Sequence, residues 1–270
     1  MIFVSGFGQT CNNILQFGHL YAWGRIRGIS VIALRFCYKY PYFAISGTKH
    51  YNWLTYLFAK YGAKMGLIPT VSFMDEKEID PEEMNRLQKT RFVLVKGWGF
   101  RDYDAFLAYR EEIKKLFAFL PGIIEKVNRQ LPPLDGSVLR LGVHVRRGDY
   151  KIWQGGKYYF SDDDYIRIIQ SFCTLFSGNS IEVLIAGNEN KFPEEKYRVA
   201  LPVNIHFLKG NPGEDLYALS TCNYLIGPPS TFSLMAAFYN DSRLYWIFDK
   251  DHVLQQESFQ KFDYLFRHII

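Results

Sequence analysis

The stretch LRLGVHVRRGDY, residues 139–150, constrains the fold more than any other part of the chain. Leu139, Leu141, Val143 and Val145 alternate with Arg140, Gly142, His144 and Arg146, the period-two pattern of a strand with one apolar face. A strand ending in two arginines, a glycine and an aspartate carries cationic donors to the carboxyl edge of a sheet, the edge where open α/β folds bind ligands. Taken alone, Arg146, Arg147 and Asp149 would read first as a surface ion-pair cluster behind an ordinary core strand.

A second stretch argues for a ligand site instead. In GEDLYALSTCNYLIGPPSTFSLMAAF, residues 213–238, positions 215–220 read as a short helix and 222–226 as an apolar strand. Gly227, Pro228 and Pro229 stop that strand, and Ser230, Thr231 and Ser233 open the next helix. A serine or threonine at a helix start supplies an N-cap, and the N–H groups there, with the positive end of the dipole, make an anion site. Two such features in one half of the chain, an arginine-bearing strand end and a strand-glycine-helix start, outweigh either alone.

The elements around them fix the fold class. Residues 181–189, 204–210, 223–227 and 243–248 read as strands separated by helical stretches, which implies a mostly parallel sheet covered on both faces. Upstream, a short strand follows Met1, a helix spans 13–27, and strands are expected at 29–34 and 91–98. Residues 105–129 form a long helix or a pair broken at Pro121. Residues 75–88 are charged and loop-like. PPLDGS, 132–137, has linker composition. With 270 residues and 48% hydrophobic content, the chain is expected to divide into an N-terminal α/β lobe, 1–134, and a C-terminal nucleotide-binding lobe, 135–270.

Three lesser patterns are read as structural. Gly6-Phe7-Gly8 lacks the third glycine of a dinucleotide fingerprint, because Cys11 stands in its place, and no acidic residue precedes Asp75. Ser161 to Asp164 offers an Asp-x-Asp metal pattern, but Ser161 with Asp164 fits a capped helix start with acids in the first turn. Cys11, Cys37, Cys173 and Cys222 have no metal-ligand or disulfide spacing, so reduced thiols are expected.

Three places together resemble the α1,2-fucosyltransferases of glycosyltransferase family eleven, with a more distant likeness to α1,6- and protein O-fucosyltransferases. HVRRGDY, 144–150, is similar to the family's His-x-Arg-x-Gly-Asp signature. EDLYALSTCNYLIGPPSTFS, 214–233, is similar to its late motif, and CNNILQFGHLYA, 11–22, to the early Gly-Asn-Gln-x-x-Gln motif, with Asn12 at the family's asparagine and Gln16 at its second glutamine. Cys11 and Asn13 depart from the early motif, behind a lengthened loop at 6–10, and Leu234 and Met235 stand where many members carry paired tryptophans.

The resemblance implies two Rossmann-like lobes in a GT-B-type arrangement with a cleft between them. It implies inverting transfer of L-fucose from GDP-β-L-fucose to a glycan hydroxyl, such as the 2-OH of a terminal β-galactose, with no metal and no cofactor beyond the donor. Arg146 would meet the charge growing on the β-phosphate, and Asp149 is by position the candidate base. Asn12, Asn13, His144, Arg147, Asp215, Ser230, Thr231 and Phe232 would bind the donor. Two alternatives stay open: a glycan-binding or degenerate homologue, and a transferase for another nucleotide sugar.

The charge is unevenly placed. Residues 1–74 contain no Asp or Glu against seven basic residues, Arg25, Arg27, Arg35, Lys39, Lys49, Lys60 and Lys64, while the rest holds 25 basic and 27 acidic. Within that segment YNWLTYLFAKYGAK, 51–64, interleaves aromatics with two lysines. Aromatics of a globular helix are ordinarily core, whereas an apolar-basic helix can also lie in the headgroup region of an anionic membrane. The second reading would seat this lobe on the inner leaflet, presenting a lipid-linked acceptor. Nucleic-acid binding explains the charge less well, since no recognition motif accompanies it. No apolar run reaches the roughly 18 to 20 residues of a membrane span, and the expected setting is the bacterial cytoplasm, in surface-polysaccharide assembly.

Overall fold

The computed structural model describes residues 1–74, 80–131, 136–188 and 192–269. Its contacts divide the chain into two compact units, Met1–Leu120 and Pro121–Ile270.

The first unit runs β1 (Ile2–Val4), α1 (Thr10–Ile26), β2 (Val31–Ala33), α2 (Trp53–Lys64), β3 (Thr70–Ser72), α3 (Pro81–Lys89), β4 (Val93–Lys96), α4 (Tyr103–Ala108) and α5 (Arg110–Leu116). Its strands pair in parallel in the order β2-β1-β4-β3. Phe3, Ile32 and Leu94 pack with Ala59 of α2. Their neighbours Ile2, Val4, Val93 and Val95 are also buried, so the sheet is covered on both faces, as a parallel sheet must be. Helix α1 is buried nearly all round, Asn13, Gln16 and His19 included, the signature of an interior helix rather than a surface one.

The 75–88 stretch expected as a loop is in part the helix α3, capped by Asp80 through Glu82 N–H at 2.8 Å with Pro81 at its first position. Charge density hid a helix whose apolar anchor is Leu87; residues 75–79 of that stretch lie outside the described ones.

The second unit runs α6 (Pro121–Asn128), β5 (Val138–Val145), α7 (Asp162–Leu175), β6 (Ser180–Gly187), α8 (Glu194–Ala200), β7 (Asn204–Phe207), α9 (Pro212–Ser220), β8 (Tyr224–Gly227), α10 (Thr231–Asn240), β9 (Arg243–Trp246) and α11 (Phe262–Phe266). All its described strands pair in parallel in the order β7-β6-β5-β8-β9. The chain therefore winds outward from β5 in one direction and then in the other, which puts a topological switch point between β5 and β8.

Because β5 is central, both of its faces are buried, not one. Leu141, Val143 and Val145 pack with Ile166, Ile169 and Phe172. On the other face Gly142 has no room for a side chain: a Cβ would stand 2.6 Å from Leu225 and 2.9 Å from Cys222 Sγ and Leu219. Arg140 is buried there too, its Nε 2.6 Å from Glu182 on β6, and Glu182 also meets His206 Nε2 at 2.9 Å.

The junction between units falls before Pro121 rather than at 134/135. Helix α6 belongs to the second unit because Lys126 pairs with Glu214 of α9 at 2.8 Å and Tyr217 donates to Asn128 at 3.3 Å. The linker-like stretch 132–137 falls within the second unit; its residues 132–135 lie outside the described ones, and Gly136 and Ser137 form a turn before β5. The four cysteines are free thiols. Among the described residues no helix is long and apolar enough to cross a membrane.

Helix α1 meets α4 at Gly18, where an added Cβ would strike the buried Phe106 ring. Gly18→Ala gains about 1 kcal/mol of helix propensity but overpacks the contact by roughly 1–3 kcal/mol. The expected net result is a lower urea midpoint, measurable by circular dichroism.

Candidate active site at the carboxyl edge of the second sheet

Two chain segments leave the sheet at the switch point. After Val145 the chain enters Arg146, Arg147 and a 3-10 turn at Gly148–Lys151, with Gly148 at φ +62°. After Gly227 it passes through Pro228 and Pro229 to Ser230, the N-cap of α10, whose hydroxyl accepts from Phe232 N–H at 3.2 Å. Gly227 lies against His144: a Cβ there would stand 2.9 Å from its carbonyl oxygen and 3.1 Å from its Cβ. The missing side chain leaves space for the His144 ring, which packs on Phe232 with centroids 5.0 Å apart.

Tyr150 ties the two segments together. Its hydroxyl donates to the Pro229 carbonyl at 2.5 Å, and the Arg146 guanidinium lies over its ring at 5.5 Å. Burial pushes the phenol up to about 12, so it remains a donor throughout the physiological range. Tyr150 closes the sequence motif without any local sign of this role. Its spacing alone could not show that the turn folds back onto Pro229.

The adjacent arginines do different work. Arg146 has 25% of its side chain exposed; it pairs with Asp149 at 2.9 Å, and Asp149 itself is 58% exposed. Its Nε is buried and has no hydrogen-bond partner among the described residues. His144 Nδ1 is in the same condition. Burial, then the charge of Arg146, push the imidazole down to about 3, so His144 is neutral at working pH. These two unsatisfied nitrogens, on neighbouring residues of one face, are where a polar ligand would be bound.

Arg147 does not join them. Its side chain is buried and pairs with Asp162 in the first turn of α7 at 2.6 Å, and Tyr197 donates to the same carboxylate oxygen at 2.7 Å. Its backbone N–H donates to Asn188 Oδ1 at 2.9 Å, and Asn188 Nδ2 donates to its carbonyl at 3.2 Å. The donor contact expected for Arg147 is therefore replaced by a structural one. Asn188, at the end of β6, is a positioning residue the sequence did not signal. Asp162 is its counterpart on α7, while Ser161 and Asp164 form the expected capping box.

Asp215 sits in the first turn of α9, at the same edge of the sheet, and accepts from Gly210 N–H at 3.1 Å. Burial is the main cause that raises its carboxyl to about 6, with Glu214 adding to it and the Gly210 bond opposing. Leu234 and Met235 are fully buried in α10, and Trp246 Nε1 donates to Ser233 Oγ at 3.2 Å.

The early motif lies in the first unit and is described there by itself. Asn13 Nδ2 donates to Phe7 and Gln9 carbonyls at 3.1 and 2.6 Å, holding the 6–9 loop against α1, and its Oδ1 is buried beside Gly6. Gln16 Nε2 donates to the Gly97 carbonyl after β4. Asn12 is half-buried at the helix start, with its amide close to Gly8. Among the described residues, no group of three or more His, Cys, Asp or Glu is arranged to hold a metal ion.

Two parallel Rossmann-like units with a cationic turn and a helix start at one sheet edge define a GT-B-type nucleotide-sugar transferase fold. The chain belongs to glycosyl transferase family 11, whose profile matches residues 83–260, a span that contains the 144–150 and 214–233 motifs but not the early one at 11–22. Similar solved structures include an Arabidopsis thaliana FUT1 mutant in complex with GDP, 14% identical, TM-score 0.60, covering 96% of this chain and 73% of that one. NodZ α-1,6-fucosyltransferase co-crystallised with GDP is 14% identical, TM-score 0.58, with 91% and 94% covered. POFUT1 in complex with GDP-fucose is 12% identical, TM-score 0.52, with 89% and 93% covered. No curated protein sequence matches the chain significantly.

The split between the arginines is measurable. Arg147→Ala strands Asp162 in a mostly buried position and should cost about 3 kcal/mol in urea unfolding. Arg146→Ala should leave the unfolding midpoint nearly unchanged.

Proposed function

We propose that the protein is an inverting fucosyltransferase that moves L-fucose from GDP-β-L-fucose to a glycan hydroxyl, the 2-OH of a terminal β-galactose. The observation that carries this reading is the Tyr150 tie, which brings a partly exposed guanidinium and the start of α10 to one sheet edge. The similar structures that hold GDP or GDP-fucose support GDP-fucose as donor.

In this reading the acceptor oxygen attacks the anomeric carbon from the face opposite GDP. The bond between that carbon and the β-phosphate oxygen breaks, and its electrons go to the phosphate. Arg146 meets the new charge with charge-assisted bonds. The Ser230 hydroxyl, donating outward while it accepts from Phe232 N–H, and the Thr231 N–H at the start of α10 hold the diphosphate, with Phe232 fixing the Ser230 side chain. A positioned cationic donor of this kind is worth roughly 3 kcal/mol in the transition state, and the reading calls for no metal ion. His144, neutral, would offer its ring nitrogen to the nucleotide. Asn12 and Asn13 would meet the donor from the first unit, Asn13 through the loop it holds.

Asp149 is the candidate base, and its carboxylate, shared with Arg146, would take the proton of the acceptor hydroxyl. Asp215 would read the base: a desolvated carboxylate accepts the paired N–H groups of guanine and has no such partner in uracil. The setting proposed is the bacterial cytoplasm, with an oligosaccharide acceptor carried on lipid and residues 1–74 meeting an anionic membrane.

Calorimetric titration with GDP, UDP and GDP-fucose tests the reading. Micromolar binding of GDP, absent in Arg146→Ala, is the expected result. Arg146→Lys, which keeps charge but loses the planar fork, should bind GDP yet lower kcat by about 100-fold. Binding of none of the three would leave a degenerate or glycan-binding homologue, and tighter UDP binding would point to another donor.

The pH dependence follows from Asp215. Only when ionised can it accept the paired N–H groups of guanine at both oxygens, so GDP affinity should rise as pH increases through about 6 and level off above it. Asp215→Asn should flatten that rise and narrow the preference for GDP over UDP. An unchanged profile would remove Asp215 from the donor site.

A further inference from the structure

Helix α2 is built inside out. With about 100° between successive residues, Thr55, Ala59, Gly62 and Ala63 share the face turned to the sheet, and of the helix only Ala59 and Gly62 are buried. Gly62 lets the helix sit close, since a Cβ there would stand 2.7 Å from Ile68 Cδ1. Most of the large apolar side chains lie away from that face, with Phe58 at its margin, its ring against Phe3 and Phe92. Trp53 is 57% exposed, Leu54 77%, Phe58 55% and Tyr61 48%, and the arc continues into Met65 and Leu67 beyond the helix end. These residues span an arc of about 140°. The expectation that the aromatics of 51–64 are core therefore holds in part: Tyr51 and Tyr56 pack against the core, whereas Trp53, Phe58 and Tyr61 are exposed.

Lys60 and Lys64 lie together at the Trp53 side of that arc. They also line a cleft of about 490 Å³ with Arg35, Lys96, Tyr38 and Tyr56, at the carboxyl edge of the first sheet. The lining contains no carboxylate, and none of the four cations forms an ion pair with a described residue. Tyr38 and Trp53 stack at the mouth of this region with centroids 5.4 Å apart and rings 5° from parallel. Residues 1–74 supply seven cations and no acid; Arg25 among them is paired with Glu112, while the cleft itself has only cations among its charged lining.

We infer that α2 docks this protein on an anionic phospholipid surface: the arc from Trp53 to Leu67 enters the headgroup-acyl boundary, and the cleft of Arg35, Lys60, Lys64 and Lys96 takes a headgroup phosphate. Charge complementarity selects this occupant. A second copy of the chain would have to cover an apolar arc while bringing a second set of unpaired cations up to the first. Tryptophan and tyrosine beside lysine are the residues that hold a helix at a membrane interface. The inference extends the membrane contact of the proposed function to a named helix face and a headgroup class, and its test reads a different quantity from donor binding.

The test is cosedimentation of the full chain with vesicles of mixed phosphatidylglycerol and phosphatidylcholine, and with vesicles of phosphatidylcholine alone. Binding should favour the anionic vesicles by about tenfold or more and fall toward the neutral level at about 1 M salt, where charges are screened beyond about 3 Å. Trp53→Ser with Leu54→Ser, and separately Lys60→Glu with Lys64→Glu, should each lower partition about tenfold or more. Their unfolding midpoints and GDP titrations should match the parent chain. The lysine pair is exposed, so its result stands even if the apolar pair perturbs folding. The inference is overturned by absence of binding at low salt, by equal binding to neutral vesicles, or by lysine variants that bind like the parent. Concentration-dependent dimers in sedimentation velocity that vanish in the Trp53, Leu54 variant would overturn it as well, by giving the face to a second copy.

Discussion

Asn188 accepts from the N–H of Arg147 and donates to its carbonyl, and the Arg147 side chain runs inward to Asp162. This pinning fixes the turn that follows β5. With Arg147 committed to the interior, Arg146 is left at the surface of the sheet edge, and Gly148 takes the left-handed conformation that lets the chain double back. Tyr150 then reaches the Pro229 carbonyl, so that the start of α10 is positioned by the same turn. A buried ion pair adds little to stability when set against well-packed apolar residues, but here it fixes which of two adjacent arginines faces outward.

The wider scaffold serves the same end. Parallel strands bring all their carboxyl ends to one edge, and the reversal of winding at β5 opens a crevice between β5 and β8. Two glycines make the crevice possible at close range: Gly142 admits the packing of Leu219 and Cys222 below it, and Gly227 leaves room for His144. Burial keeps His144 neutral. A second cation beside Arg146 would be costly to desolvate, whereas a neutral imidazole is a polar contact without that cost.

Much of this was legible. The strand and its arginines, the N-cap at Ser230, the capping box of Ser161 and Asp164 and the parallel α/β class all depend on local chemistry: alternation, turn residues and hydroxyls at helix starts. What was missed depends on partners distant in the chain. The role of Arg147 is set by Asp162 and Asn188, that of Tyr150 by Pro229. The junction between units lies before Pro121 because Lys126 finds Glu214, although linker composition comes later. Helix α3 was hidden by its charge. Its evidence was a single Asp-Pro start and one buried leucine.

The sequence by itself determined which stretches become the strand end and the helix start at the sheet edge, because periodicity, caps and glycines act over a few neighbours. It also determined that residues 1–74 are positive, since no acid is present to oppose the seven cations. Only the tertiary structure decided which side of α2 is bulky and exposed: helical spacing places Ala59 opposite Leu54 but does not say which one meets the sheet. The same holds at the site, where two neighbouring arginines of identical chemistry part because one of them finds the mostly buried carboxylate of Asp162 and the other the exposed one of Asp149.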